Sequence, residues 1–125
     1  MGGTFHDLRV WQGAMEFTVK IYRVTQKFPP HELYGVSSQL RRAAVSIASN
    51  IAEGKGRSSD KELLQFLSRA RGSLCEIQTQ LEIAEQLGYL AATDRSDLLQ
   101  QSEAVGKMLN GMIGKFRQTV KESAA

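Results

Sequence analysis

What the chain lacks narrows its chemistry before any motif is read. Among its 125 residues there is one cysteine, Cys75, so no disulfide framework can form within it. Its two histidines, His6 and His31, lie near the start and in a loop, and even with Cys75 they are too few for a structural zinc site. No glutamate is followed by histidine three positions on, which removes the paired motif of a di-iron bundle. The longest stretch without a charge, Ala43 to Ala52, is far shorter than the roughly 18 apolar residues that cross a bilayer. No membrane segment or signal peptide is legible, so a reducing cytoplasm is the expected compartment. Nothing alternates with the two-residue period of a strand, and there is no low-complexity linker or internal repeat.

What is there is helical. At 42% hydrophobic, a chain of this length makes one domain, residues 1–125, with a core of its own. Met1 to His6 reads as a loose start. A first helix is expected over about 7–28, where Trp11, Ala14, Met15, Thr18, Ile21, Tyr22, Thr25 and Phe28 make a broad stripe widened by Val10, Phe17 and Val24. Pro29 and Pro30 end it, since neither can donate a backbone hydrogen bond. A third helix is expected over about 60–87 with Phe66, Ala70, Leu74, Ile77, Leu81 and Ala84 on its stripe. Gly72 inside it costs about 1 kcal/mol relative to alanine, which a close crossing by a neighbour would explain. A fourth, about 94–121 and capped by Thr93 or Asp94, carries Leu98, Val105, Leu109, Met112 and Phe116. Connections this short predict an all-α, antiparallel up-and-down four-helix bundle.

The second helix, about 37–53, organises the rest. Leu40, Ala44, Ile47 and Ile51 share one stripe at roughly 100° per residue, and Val45, Ala48 and Ala52 form another about a third of a turn away. One stripe buries a helix in its own bundle. A second, rich in alanine, predicts another helix packing there, from a sister subunit. Gly54 reads as a left-handed stop, and Ser59 with Glu62 as the capping box that starts the third helix. Between them lies a short basic elbow, Gly54-Lys55-Gly56-Arg57.

The segment QLRRAAVSIASNIAEGKGR resembles the signature of the bacterial four-helix bundle family encoded by intervening sequences in large-subunit ribosomal RNA genes, also labelled S23. The likeness continues through FHDLRVWQGA, IYRVTQKFPPHELYG and FLSRARGSLCEIQTQLEIAEQLGYL, in order, over roughly residues 5–90. Val36 stands where leucine is expected, and Arg69 and Arg71 flank Ala70 where a more apolar setting is expected. The resemblance implies a four-helix protomer, usually assembled as a pentameric barrel, with no known catalysis. The same fold includes the accessory variability protein of diversity-generating retroelements, and that branch implies association with RNA and a reverse transcriptase.

The net charge of +3 is mild, but its distribution is uneven. Up to Arg57 there are Arg9, Lys20, Arg23, Lys27, Arg41, Arg42, Lys55 and Arg57 against Asp7, Glu16, Glu32 and Glu53. A ring of identical subunits would repeat that excess and sum its field. The candidate nucleic-acid contacts are therefore Lys20, Arg23, Lys27, Arg41, Arg42, Lys55 and Arg57, and the candidate oligomer interface is Val45, Ala48 and Ala52. Alternatives stand beside each. A helix stop followed by a capped start explains the elbow's glycines and serines, which leaves only Lys55 and Arg57 to motivate a phosphate. Arg41 can pair with a carboxylate across a subunit contact. Lys20, Arg23 and Lys27, interrupted by Glu16, read equally as a solvated face.

No catalytic or metal site and no cofactor is expected, because no acid, base or nucleophile converges in sequence and Cys75 reads as a buried small hydrophobe. The elbow is not a Walker A loop, which needs GxxxxGK[ST] after a strand. The expected function is that of a non-catalytic, oligomeric helical protein binding structured RNA or another nucleic acid. The alternative is a protein-interaction scaffold, such as an accessory subunit of a reverse transcriptase.

Overall fold

A computed structural model describes residues 3–124; Met1 and Gly2, in the expected loose start, and Ala125 lie outside the described residues. Among the described residues there are four helices and no strand: α1 Arg9–Thr25, α2 Val36–Lys55, α3 Asp60–Gln86 and α4 Ala92–Ala124. Short 3-10 turns occupy Phe5–Asp7 and Pro30–Glu32. At 1.5 Å per residue, α1 is about 25 Å long and α4 about 50 Å. Each helix packs on its neighbours in sequence, α4 returns to α1, and the diagonal backbones stay apart. Gln78 pairs with Ser102 while Arg71 pairs with Asn110, so α3 and α4 run in opposite directions. Ser73 to Ser46 and Gln80 to Gln39 reverse α2 against α3 in the same way.

Phe17, Ile21, Leu40, Ile47, Ile51, Leu67, Ile77, Leu98, Leu109 and Ile113 are fully buried in one contiguous core. Each removes apolar surface worth about 1.5–3 kcal/mol from water. The buried seam of α1 is Val10, Ala14, Phe17, Ile21 and Val24, so Met15 and Tyr22, expected within the stripe, are instead exposed one position round the helix. The hydroxyls of Thr18 and Thr25 reach the core face by donating back to the carbonyls of Ala14 and Ile21, each at 2.7 Å. Asn50 likewise satisfies itself locally, its amide donating to the Ser46 carbonyl at 2.8 Å.

Helix ends depart from the spacing for identifiable reasons. The last turn of α1 tightens after Thr25, where the N–H groups of Lys27 and Phe28 bond three residues back, and the prolines follow. α2 continues through Gly54 to Lys55; among the described residues, positive φ occurs only at Gly88, at 79°. Gly54 serves close approach and not termination. A Cβ there would lie 2.9 Å from both Leu63 Cδ1 and Phe66 Cβ of α3. No such crossing explains Gly72, whose Cβ would meet open space, whereas a Cβ at Gly13 would stand 3.0 Å from Met108 Cε across α1 and α4. Ser59 does cap α3, the Glu62 N–H donating to its hydroxyl at 3.2 Å, but the Glu62 carboxylate accepts from that hydroxyl and from Ser58 in place of the backbone N–H of a full capping box. Cys75, expected inside, is exposed.

Candidate nucleic-acid interface

The seven basic residues singled out by the sequence fall into different surroundings. Lys20 on α1 and Lys27 in the turn after it close on Asp94 in the first turn of α4: one carboxylate oxygen takes Lys20 at 3.2 Å and the other takes Lys27 at 3.0 Å. Asp97 adds a 3.6 Å contact to Lys20. The Asp94 side chain is 10% exposed. The hydrogen bond from Lys27 holds its carboxyl below the ordinary range, with burial opposing and Lys20 reinforcing the shift. Both lysines are thus paired within the protomer, Lys27 while still 66% exposed, and Asp94 acts as their counter-ion and not as the expected helix cap. Arg23 is exposed in the open groove between α1 and α4, beside Glu16 and Gln101.

Arg41 is also engaged at home. Its Nε donates to the Thr25 hydroxyl at 2.8 Å and its guanidinium lies over Tyr22, 5.0 Å from the ring centroid. It pins α2 to the end of α1. Arg42, the next residue, points the other way into a groove between α2 and α3 lined by Gln39, Ser46, Ser73 and Glu76, and it is exposed. Adjacent positions on a helix point about 100° apart, so this pair is split between two faces.

At the opposite end of the bundle the elbow leaves its charges open. Lys55 ends α2, exposed. Arg57 lies over the ring of Phe66, 4.5 Å from its centroid, with only a 3.8 Å contact to the exposed Glu53. The α3 helix starts at Asp60, so the positive end of its backbone dipole faces the same space, although Ser59 already satisfies one donor there. Sequence reasoning did not assign Arg69 to this cluster. It stands three positions after Phe66 on α3 and covers the same ring at 4.8 Å. That i, i+3 spacing is legible in sequence; the approach of Arg57 is not, because it depends on how tightly the elbow closes.

The candidate oligomer residues line a groove of about 330 Å³ between α1 and α2, together with Trp11, Met15, Thr18 and Ser49. Val45 is 43% exposed and Ala52 half-buried, but Ala48 is only 6% exposed because its own protomer already covers it. Met15, displaced from the core seam of α1, joins the open apolar face.

No described helix is long and apolar enough to cross a membrane. Among the described residues, no group of three or more His, Cys, Asp or Glu could hold a metal ion. His6 and His31 are exposed; His6 stacks on Phe5, 4.2 Å between centroids. Tyr89 donates to Glu32 at 2.9 Å, tying the α3–α4 turn to the α1–α2 connection, and that hydrogen bond raises the phenol above its ordinary range. Beside this tie Tyr34 is 92% exposed.

A family model described as 23S rRNA-intervening sequence protein matches residues 6–111. No curated protein matches the chain. Among solved structures, a protein of unknown function from the S23 ribosomal protein family of Bacteroides thetaiotaomicron superposes with a TM-score of 0.77 at 23% identity, over 83% of this chain and 97% of that one. At that identity the likeness speaks for the fold.

Proposed function

This chain belongs to the 23S rRNA-intervening sequence protein family, and from that premise we propose that it works without catalysis, as an oligomeric helical protein binding structured RNA or another nucleic acid. The observation that carries this reading is the elbow, where Lys55 and Arg57 are exposed and the only acid contact is the loose 3.8 Å pair of Arg57 with the exposed Glu53. Arg42 and Arg23 add exposed charge on two other faces. Lys20 and Lys27 rank below the elbow because Asp94 holds both, while Arg41, oriented by the neutral Thr25 hydroxyl and the Tyr22 ring, keeps its charge and stays in the contact set.

The apolar groove of Trp11, Met15, Val45 and Ala52 supports a contact between subunits, and a pentameric ring would repeat each elbow and sum its field. Sedimentation tests the assembly: Val45→Asp should release protomers, and a wild-type chain that sediments as one subunit at high dilution overturns the ring. Salt titration tests the binding. Each phosphate contact on a duplex contributes about 0.9 to the slope of log affinity against log salt. Replacing Lys55 and Arg57 with glutamine should flatten that slope by about 2 per engaged elbow. Absence of RNA binding at low salt, or a slope indifferent to both changes, overturns it.

A second reading is a scaffold for another protein, such as a reverse transcriptase, acting in the cytoplasm. The adjacent exposed Tyr34 and Leu33 support it, as apolar surface that a protein partner would cover. A reverse transcriptase retained on the tagged chain after nuclease treatment supports this reading. Loss of every partner with nuclease removes it.

A further inference from the structure

Phe66 is where two arginines twelve positions apart in sequence meet. Arg57 comes from the elbow and Arg69 from the helix, and both guanidinium carbons lie within 5 Å of one ring centroid. Helical side chains lean toward the N-terminus, so Arg69 is draped back over the turn that carries Phe66. Arg57 reaches the ring because Gly54 has no Cβ to hold the elbow away from Phe66. Phe66 is 8% exposed, so packing fixes its ring. Two like charges thereby rest against one ring. Neither is tightly paired: Arg57 has only a loose 3.8 Å contact with the exposed Glu53, and among the described residues no carboxylate lies within 4 Å of Arg69.

The contrast with the rest of the molecule is informative. Lys20 and Lys27, also brought together from separate turns, share a carboxylate between them. Arg57 and Arg69 share a ring, which orients a guanidinium but leaves its charge and most of its N–H donors unspent. A planar fork with free donors matches the oxygens of a phosphate, and an anion shared by two such forks would offset the repulsion between them.

We propose that Arg57 and Arg69, mounted on Phe66, form a clamp for a backbone phosphate of RNA. The clamp deepens the nucleic-acid reading above and rests on it. Arg69 is then a binding residue outside the basic set of the chain's first half, and Phe66 is a positioning residue that holds both forks. Glu53 weakens the clamp by competing for Arg57.

Two arms test it. In the first, inorganic phosphate is titrated into the full chain while NMR follows the arginine Nε–H signals; Arg57 and Arg69 should shift together, and Arg69→Gln should weaken the response of Arg57. In the second, binding of a structured RNA is followed against salt. Arg57→Gln and Arg69→Gln should each weaken affinity severalfold and lower the salt slope by about 1, and losing both should cost less than the product of the single losses. Arg69→Lys, which keeps the charge without the fork, should restore only part. Phe66→Met should weaken binding with both arginines present, and Glu53→Gln should tighten it. Because Phe66 is buried, thermal melts accompany that variant; the exposed Arg69 keeps the test decisive even when it unfolds. If wild-type chain binds RNA and Arg69→Gln changes neither affinity nor slope, the clamp is overturned while the broader reading survives. If no RNA binds, both fall as RNA sites, and joint shifts with phosphate alone would then assign the clamp to another phosphate source. Retention of an acidic protein in place of RNA also overturns it.

Discussion

Where α4 begins, Lys20 and Lys27 close on Asp94; at the opposite end, where α2 turns into α3, Arg57 and Arg69 close on Phe66. Both ends gather two cations from separate turns. At the first, a mostly buried carboxylate bridges them, with Asp97 as a further acid beside Lys20, and the result is a tie to α4. At the second, a buried ring orients them without neutralising them, and the charge stays available. A tally of lysines and arginines cannot separate these cases, because what matters is the group each one meets after folding.

The largest expected effect attacks the geometry of the elbow end. Gly54→Val places atoms where Leu63 and Phe66 already stand, and denaturant unfolding should show a loss of about 2 kcal/mol. No loss would mean the elbow has slack, and that Arg57 has no fixed reach.

Next comes the neutralised end. Asp94→Asn strands two lysines beside an uncharged amide and should cost on the order of 1–2 kcal/mol in the same assay. It should also raise RNA affinity, because Lys20 and Lys27 are set free. An unchanged affinity would show that those lysines face no nucleic acid even when released.

The acid side sharpens the point. The folded-state pKa of Asp94 is lowered, so the native chain binds fewer protons there than the unfolded chain, and its contribution is complete above the ordinary carboxylate value near 3.8. That contribution fades as pH falls below this value through the folded pKa. The stability gap between wild type and Asp94→Asn should therefore be constant near neutrality and close in strong acid. A gap that persists at the lowest pH would point to shape and not charge.

Smaller effects complete the series. Gly72→Ala meets open space within α3 and should stabilise the chain by about 1 kcal/mol through helix propensity alone, opposite in sign to Gly54→Val. Arg57→Gln should move stability by less than about 0.5 kcal/mol, since the side chain is exposed and its ion pair is loose. A marked destabilisation there would make the elbow arginines structural and erase the contrast between the two ends.

Much of the fold was readable because its signals are local. The α2 stripe of Leu40, Ala44, Ile47 and Ile51 and the Ser59 cap each depend on neighbours within a turn or two. Reading failed where a residue's role depends on a distant one. Met15 and Tyr22 share the apolar character of the α1 stripe, yet which half of a wide stripe faces inward depends on where α2 and α4 lie. Gly54 and Gly72 look alike along the chain, and only the nearness of α3 separates a required glycine from a tolerated one. Asp94 is 74 positions from Lys20 and 67 from Lys27, beyond any spacing rule. On the candidate surface, Arg69 lay within reach of an i, i+3 argument, but the meeting with Arg57 did not.

Periodicity, caps and breakers, all short-range properties of the backbone and its next neighbours, were enough to specify four helices of stated stripe and an all-α bundle. Which cations keep their charge free, which alanine is already covered and which glycine is indispensable was settled only when the helices met. Neutralisation and burial are properties of pairs in space, and those pairs form only where neighbouring helices pack.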